Sequence, residues 1–197
     1  AIGLGIFDLA GALVKLGITY GSSDAIEFAK KITGVMLVYS YLQSCDLNKN
    51  NLPLDNLFES EFYKQRILPY LPEEYIGKYP LNSQLLTIAP TGTLSTMLNA
   101  LSGGGEPAFA LSYTRTTKSL HGKDVTYEVH PKLVTDYMSQ HNCTFDQLPP
   151  EFISSDKLNW KQRIDMQAAL QTSIDASISS TVNLDEDVTV EEVYDLY

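Results

Sequence analysis

Six consecutive residues, Pro90, Thr91, Gly92, Thr93, Leu94 and Ser95, place three hydroxyl side chains, a glycine and a proline directly behind the apolar run Gln84-Leu85-Leu86-Thr87-Ile88-Ala89. An apolar run closed by proline suits a buried strand, and Thr93 or Ser95 can cap a helix running on through Thr96, Met97, Leu98 and Ala100 to the glycines at 103–105. Where a strand hands over to a helix, the first helical N–H groups have no intrahelical acceptor, and the aligned peptide dipoles add roughly half a positive charge. Such a point holds phosphate without Lys or Arg. Gly92 keeps the backbone open to close approach, and the hydroxyls of Thr91, Thr93 and Ser95 are further donors. Taken alone, the same residues equally describe an ordinary turn with a capping threonine. The GxxxxGK[ST] loop of nucleotide triphosphatases is absent, and Gly3-Leu4-Gly5 lacks the third glycine of a dinucleotide fingerprint.

The remaining reactive side chains carry less. Cys45 and Cys143 stand far apart with no CxxC spacing, which argues against a zinc site or a redox pair, and Cys45 reads as a packed helix residue. His121, His130 and His141 show neither HxxxH nor HExxH spacing, so no metal site is expected. The acidic residues Asp185, Glu186, Asp187, Glu191 and Glu192 fit the start of a helix, whose dipole favours carboxylates.

The 24 acidic against 14 basic residues, a net charge of -10, exclude loose binding to nucleic acid or to an anionic membrane, both of which need clustered Lys and Arg. With 44% hydrophobic and 19% charged residues, the chain reads as a globular, cytoplasmic protein with reduced thiols. Residues 1–16 carry Asp8 and Lys15, with no basic start and no small-residue cleavage site, so they are neither a signal peptide nor a membrane span. They read as a chain entering mid-domain, and residues 1–197 as a single partial domain.

The elements that must position the turn follow from periodicity. Ile6, Leu9, Ala10, Leu13, Val14 and Leu16 predict a first helix stopped by Gly17, and Ser22 or Ser23 caps a second, the longest, reaching towards Cys45. The Asn-rich segment 47–57 is a surface loop, and 60–71 a short amphipathic helix ahead of Pro72. Extended segments at 109–118 and 125–129 flank a turn at His121-Gly122, and Pro131 opens a helix to His141. A helix at 159–174, an extended stretch at 177–184 and a helix from about Val190 complete the chain.

Three ordered stretches go beyond local patterning. Residues 85–95, with Gly105-Glu106-Pro107-Ala108-Phe109-Ala110 and Tyr113-Thr114-Arg115, closely resemble the phosphate-binding region of ribonucleotide reductase large chains. Ile2-Gly3-Leu4-Gly5 with Leu16-Gly17-Ile18-Thr19-Tyr20-Gly21-Ser22 looks like the family's segment after its radical-bearing loop, and 175–184 is similar to a strand region near its C-terminal end. The Ala-Pro-Thr-Gly-Thr form, followed by Phe109-Ala110-Leu111-Ser112-Tyr113, looks more like the adenosylcobalamin-dependent class than the di-iron-partnered class. The family usually has Gly in place of Asp8, Asp in place of Gly11, Arg in place of Leu81, Ile in place of Gly105 and Lys in place of Ser180.

The resemblance implies an α/β fold, a helix-rich fragment from the later part of a ten-stranded barrel. It implies that Pro90, Thr91, Gly92, Thr93 and Leu94 contact the phosphates of a ribonucleoside di- or triphosphate, with Ser95 in support. Glu106 is placed near the barrel mouth, where it orients the turn or pairs with Arg115. A thiyl radical abstracts the ribose 3′ hydrogen, adenosylcobalamin generates the radical, and a thioredoxin-type protein supplies electrons. The Asn-x-Cys-x-Glu radical motif does not occur here, so catalytic residues are expected in the rest of the reductase chain. The alternatives are a non-catalytic phosphate-binding or assembly domain, or a di-iron-dependent large chain.

Overall fold

Residues 84–88 are the middle one of three extended segments that run parallel. The computed structural model describes residues 1–118, 124–184 and 187–196, with main chain alone at Arg115, Thr117, Lys118 and Val129. On one side, Ile2 and Leu4 donate their N–H groups to the carbonyls of Gln84 and Leu85 at 2.9 and 2.8 Å, and Thr87 donates to Leu4 at 2.9 Å. On the other, Ala176 donates to Leu86 at 3.1 Å and Ser179 to Ile88 at 3.0 Å, so Ile88 bridges Ile178. Leu85, Leu86 and Ile88 are all buried, as a central parallel strand requires. Gly5 has no room for a Cβ against the Thr87 carbonyl, and the first segment lies close for that reason.

Asp175 fixes the start of the middle segment. Its carboxylate accepts the N–H of Leu85 at 2.8 Å and of Leu86 at 2.7 Å, giving two buried donors a charged acceptor.

Helices cover this layer. α1 (Leu9–Lys15) starts at Asp8 and ends in a Schellman turn, with Gly17 at φ 69° and the Ile18 N–H bonded to the Leu13 carbonyl. α2 (Ser23–Leu47) is capped by the Ser22 hydroxyl, accepting from Ala25 N–H, and packs on α5 (Trp160–Gln171). Asn159 caps α5, which ends three residues before the expected 174. Between them lie α3 (Gly92–Met97), an antiparallel hairpin of β1 (Tyr113–Lys118) and β2 (Asp124–Val129), and α4 (Lys132–His141); α6 (Val190–Leu196) follows. The expected His121-Gly122 turn, and Asp185 and Glu186 of the acidic stretch, lie outside the described residues.

Two expectations change. The segment expected as a helix over 60–71 is helical at 61–70, but as an opening turn, a π turn, Tyr63–Ile67, and a 3-10 turn, Leu68–Tyr70, where Pro69 has no N–H to continue an α-helix. The helix after the turn is capped by neither Thr93 nor Ser95: its N-cap is Thr91. It also stops at Leu98 rather than at the glycines, since Asn99 takes a left-handed φ of 50° and Ala100 N–H closes on the Ser95 carbonyl. No described helix is long and apolar enough to cross a membrane.

Replacing Asp175 with Ala leaves the buried Leu85 and Leu86 amides without their acceptor, a loss of roughly 1–3 kcal/mol for a single such group. Hydrogen exchange of the peptide covering 84–88 in the full-length protein is expected to accelerate at least about tenfold. Unchanged exchange would contradict the clamp.

Candidate phosphate site

The middle segment delivers its chain to Pro90 and Thr91, and α3 begins at Gly92. Thr91 is held at φ 50° and ψ 25°, a left-handed conformation that β-branched residues rarely adopt. Its hydroxyl does not cap α3; it accepts the Gly104 N–H at 2.7 Å. Ser95, also buried, donates its hydroxyl to the Thr91 and Ser102 carbonyls, both at 2.9 Å. Two of the three hydroxyls expected to face a ligand are therefore spent inward, holding the turn to the 102–104 loop.

The N–H groups of Gly92, Thr93 and Leu94 find no acceptor among the described residues, as the first turn of a helix dictates. Beside Gly92 and Thr93 lies a cavity of about 490 Å³, lined by these two residues together with Ser95, Gly103, Glu106 and Tyr113 among others. A Cβ on Gly92 would meet nothing within 4 Å, so the space it faces is open. Pro90, Thr91 and Leu94 do not line this cavity. Pro90, lacking an N–H, turns its carbonyl towards Gly103, and Leu94 is half exposed.

Behind the turn, two backbones touch. A side chain on Gly103 would run into the Pro90 carbonyl, one on Gly104 into the Ala89 carbonyl, and one on Gly105 into Leu170. Tyr20, fully buried, donates its hydroxyl to the Gly105 carbonyl at 2.8 Å, and burial pushes its phenol up to about 12.

Glu106 lies at the edge of the cavity, and its Oε1 accepts the Thr181 N–H at 2.9 Å. Its cationic neighbour is Arg163, 4.0 Å away, at the limit of an ion pair. The side chain of Arg115, the expected partner, lies outside what is described; its main chain pairs with Tyr127 in the hairpin. Arg163 is almost fully buried and donates to Ser180 Oγ at 2.8 Å and Gln167 Oε1 at 3.2 Å, while its Nε has no partner in the described structure. Arg163, Tyr20, Ser102 and Asp8 support the site, though the sequence gives none of them a role there: Tyr20 only falls inside a family-like stretch, and Asp8 stands out only as a departure from one. Arg163 carries a local signal as well: it shares a helical face with the apolar Met166 and Leu170, three and seven residues on.

Cys45 is packed in α2, its thiol pushed up to about 11 by burial. His141 stacks on Tyr137 with ring centroids 4.1 Å apart, and His130 stands 3.4 Å from Glu128. Among the described residues no group of His, Cys, Asp or Glu is placed to hold a metal.

Two outcomes are expected from this packing. Gly103→Ala, which must displace the Pro90 carbonyl, lowers Tm by several degrees, whereas Gly92→Ala leaves Tm within about two degrees; equal effects would contradict the close approach. In the native protein at pH 8, iodoacetamide labels Cys143 and leaves Cys45 unmodified until unfolding. Rapid labelling of Cys45 would contradict its burial.

Residues 1–197 match the family described as ribonucleotide reductase, barrel domain. The chain is similar to a vitamin B12-dependent ribonucleoside-diphosphate reductase of Mycobacterium tuberculosis (strain CDC 1551 / Oshkosh), 27% identical over 215 residues, covering 100% of this chain and 29% of that protein. A Thermoplasma acidophilum protein of the same name is 27% identical over 214 residues, covering 100% and 26%. The ribonucleoside-diphosphate reductase subunit alpha of Chlamydia pneumoniae is 29% identical over 126 residues, covering 50% and 12%. The chain thus spans less than a third of the length of these relatives. From the three parallel segments to the turn they carry, and across its whole length, the chain belongs to the barrel-domain family of the ribonucleotide reductases.

Proposed function

We propose that these residues are one part of a larger catalytic barrel and that they hold the phosphates of a ribonucleoside di- or triphosphate whose ribose 2′-hydroxyl the intact protein replaces by hydrogen. The observation that carries this is the set of N–H groups at Gly92, Thr93 and Leu94 that have no acceptor among the described residues, the first two on residues that line a nucleotide-sized cavity at the carboxyl end of a parallel segment. Thr93, whose hydroxyl is exposed, is the side chain best placed to add a donor. Thr91 and Ser95 serve by fixing the turn, and Pro90 and Leu94 by main-chain geometry. Glu106 orients the far wall through Thr181.

Phosphate binding here needs no cation. The partial positive charge of the helix start and the directed N–H groups replace it, which suits a ligand that must enter and leave. The radical chemistry belongs to residues outside this segment, since neither cysteine lies in an Asn-x-Cys-x-Glu context. The relatives that cover the whole chain are named vitamin B12-dependent, whereas those named subunit alpha cover half of it, which favours adenosylcobalamin over a di-iron partner. That cofactor supplies the initiating radical when bound. The cavity at the turn is nucleotide-sized rather than corrinoid-sized, so its seat is assigned elsewhere in the intact protein. A thioredoxin-type protein is the proposed reductant.

Gly92→Leu places a branched side chain where a Cβ meets nothing within 4 Å, in the space beside the N–H groups. In the full-length protein it is expected to weaken binding of a ribonucleoside diphosphate at least tenfold by calorimetry, with Tm unchanged. Wild-type affinity would contradict the phosphate reading.

A further inference from the structure

Asp8 lies at the start of α1, away from the cavity, in a left-handed conformation with φ 59° and ψ 40° that glycine adopts most readily. Its Oδ1 accepts the N–H of Ser102 at 3.0 Å and of Gly11 at 3.3 Å. The Ser102 carbonyl takes the Ser95 hydroxyl, which also bonds Thr91, and Thr91 in turn holds Gly104. Two further contacts bind the same loop to α1: Ala10 N–H donates to Ser102 Oγ at 3.3 Å, and Leu9 N–H donates to the Gly104 carbonyl at 3.3 Å. One unbroken set of hydrogen bonds thus runs from the Asp8 carboxylate to the phosphate turn.

Gly11 explains why the carboxylate can lie there. It is buried one turn along α1, and a Cβ built on it would fall among the three carboxylate atoms of Asp8. A side chain at position 11 and the carboxylate of residue 8 therefore compete for one space. An aspartate at 11 with glycine at 8 would set its Cβ where the Asp8 carboxylate now lies and carry its own carboxylate one bond further, and would relieve the left-handed backbone at 8.

We propose that Asp8 is a positioning residue for the phosphate turn, acting through Ser102, and that positions 8 and 11 are coupled so that the carboxylate can be supplied from either. This rests on the reading of the turn given above. No catalytic contact is assigned to Asp8; it holds the loop that holds Thr91 and Ser95.

The test is a double-mutant cycle in the full-length protein with Asp8→Gly, Gly11→Asp and the two combined, read by Tm, by amide exchange of the peptide covering 101–105, and by calorimetry with a ribonucleoside diphosphate. Asp8→Gly is expected to speed exchange and weaken binding at least fivefold. Asp8→Asn, which keeps an oxygen for the Ser102 N–H, recovers most of that affinity. Gly11→Asp alone, with two carboxylates in one space, lowers Tm by several degrees. The combined variant returns affinity to within twofold and Tm to within about two degrees of the parent. A combined variant no better than the poorer single one overturns the coupling. Gly92→Leu separates the two claims: binding lost in Gly92→Leu but kept in Asp8→Gly overturns the positioning role, whereas binding unchanged in both overturns the phosphate reading while recovery of Tm and exchange in the combined variant still supports the coupling.

Discussion

At Gly103 and Gly104 two stretches of main chain meet with no room for a side chain between them, and the shape of the turn at 90–95 depends on that contact. Because the 102–104 loop lies directly against residues 89–91, its N–H and carbonyl groups are the partners that the Thr91 and Ser95 side chains find. Thr91 is thereby held left-handed, a conformation that costs of the order of 1–3 kcal/mol for a branched residue and persists only where its surroundings over-determine it. The consequence is directional. With its cap hydroxyl turned backwards, α3 offers its first N–H groups to the cavity rather than to a side chain of its own.

The three parallel segments explain where that cavity lies. In parallel α/β arrangements ligands gather at the carboxyl ends of the strands, where strand-to-helix connections expose helix starts. Here the middle segment is anchored at its beginning by the Asp175 carboxylate and flanked on both sides, so its far end is placed by a rigid layer rather than by a loose loop. Tyr20, Glu106 and Arg163 then tie the glycine loop and the 177–181 segment together on the far side. A site built this way is pre-formed, in keeping with binding a small anionic ligand through main-chain donors.

Much of this was legible in the sequence where local chemistry decides the outcome. The extended middle segment, which makes isolated parallel bridges in place of a full strand, the Ser22 cap, the Gly17 stop, the helix after Pro131 and the two arms of the hairpin follow from periodicity and turn residues, which act over a few positions. The inward use of Thr91 and Ser95 was not legible, because it depends on a loop seven to thirteen residues downstream reaching back. Nor was the Asp8 carboxylate, whose partner Ser102 is 94 positions away. The π turn at Tyr63–Ile67 likewise escapes a pattern that registers apolar spacing but not how a proline ends a helix two residues later. Local rules found the elements; contacts distant in sequence determined how the site is supported.

The most direct measurement is a crystal structure of the full-length protein with a ribonucleoside diphosphate bound. Phosphate oxygens are expected within hydrogen-bonding distance of the N–H groups of Gly92, Thr93 and Leu94, with Thr91 still left-handed and bonded to Gly104. Phosphates bound elsewhere, with those three N–H groups facing only water, would contradict it.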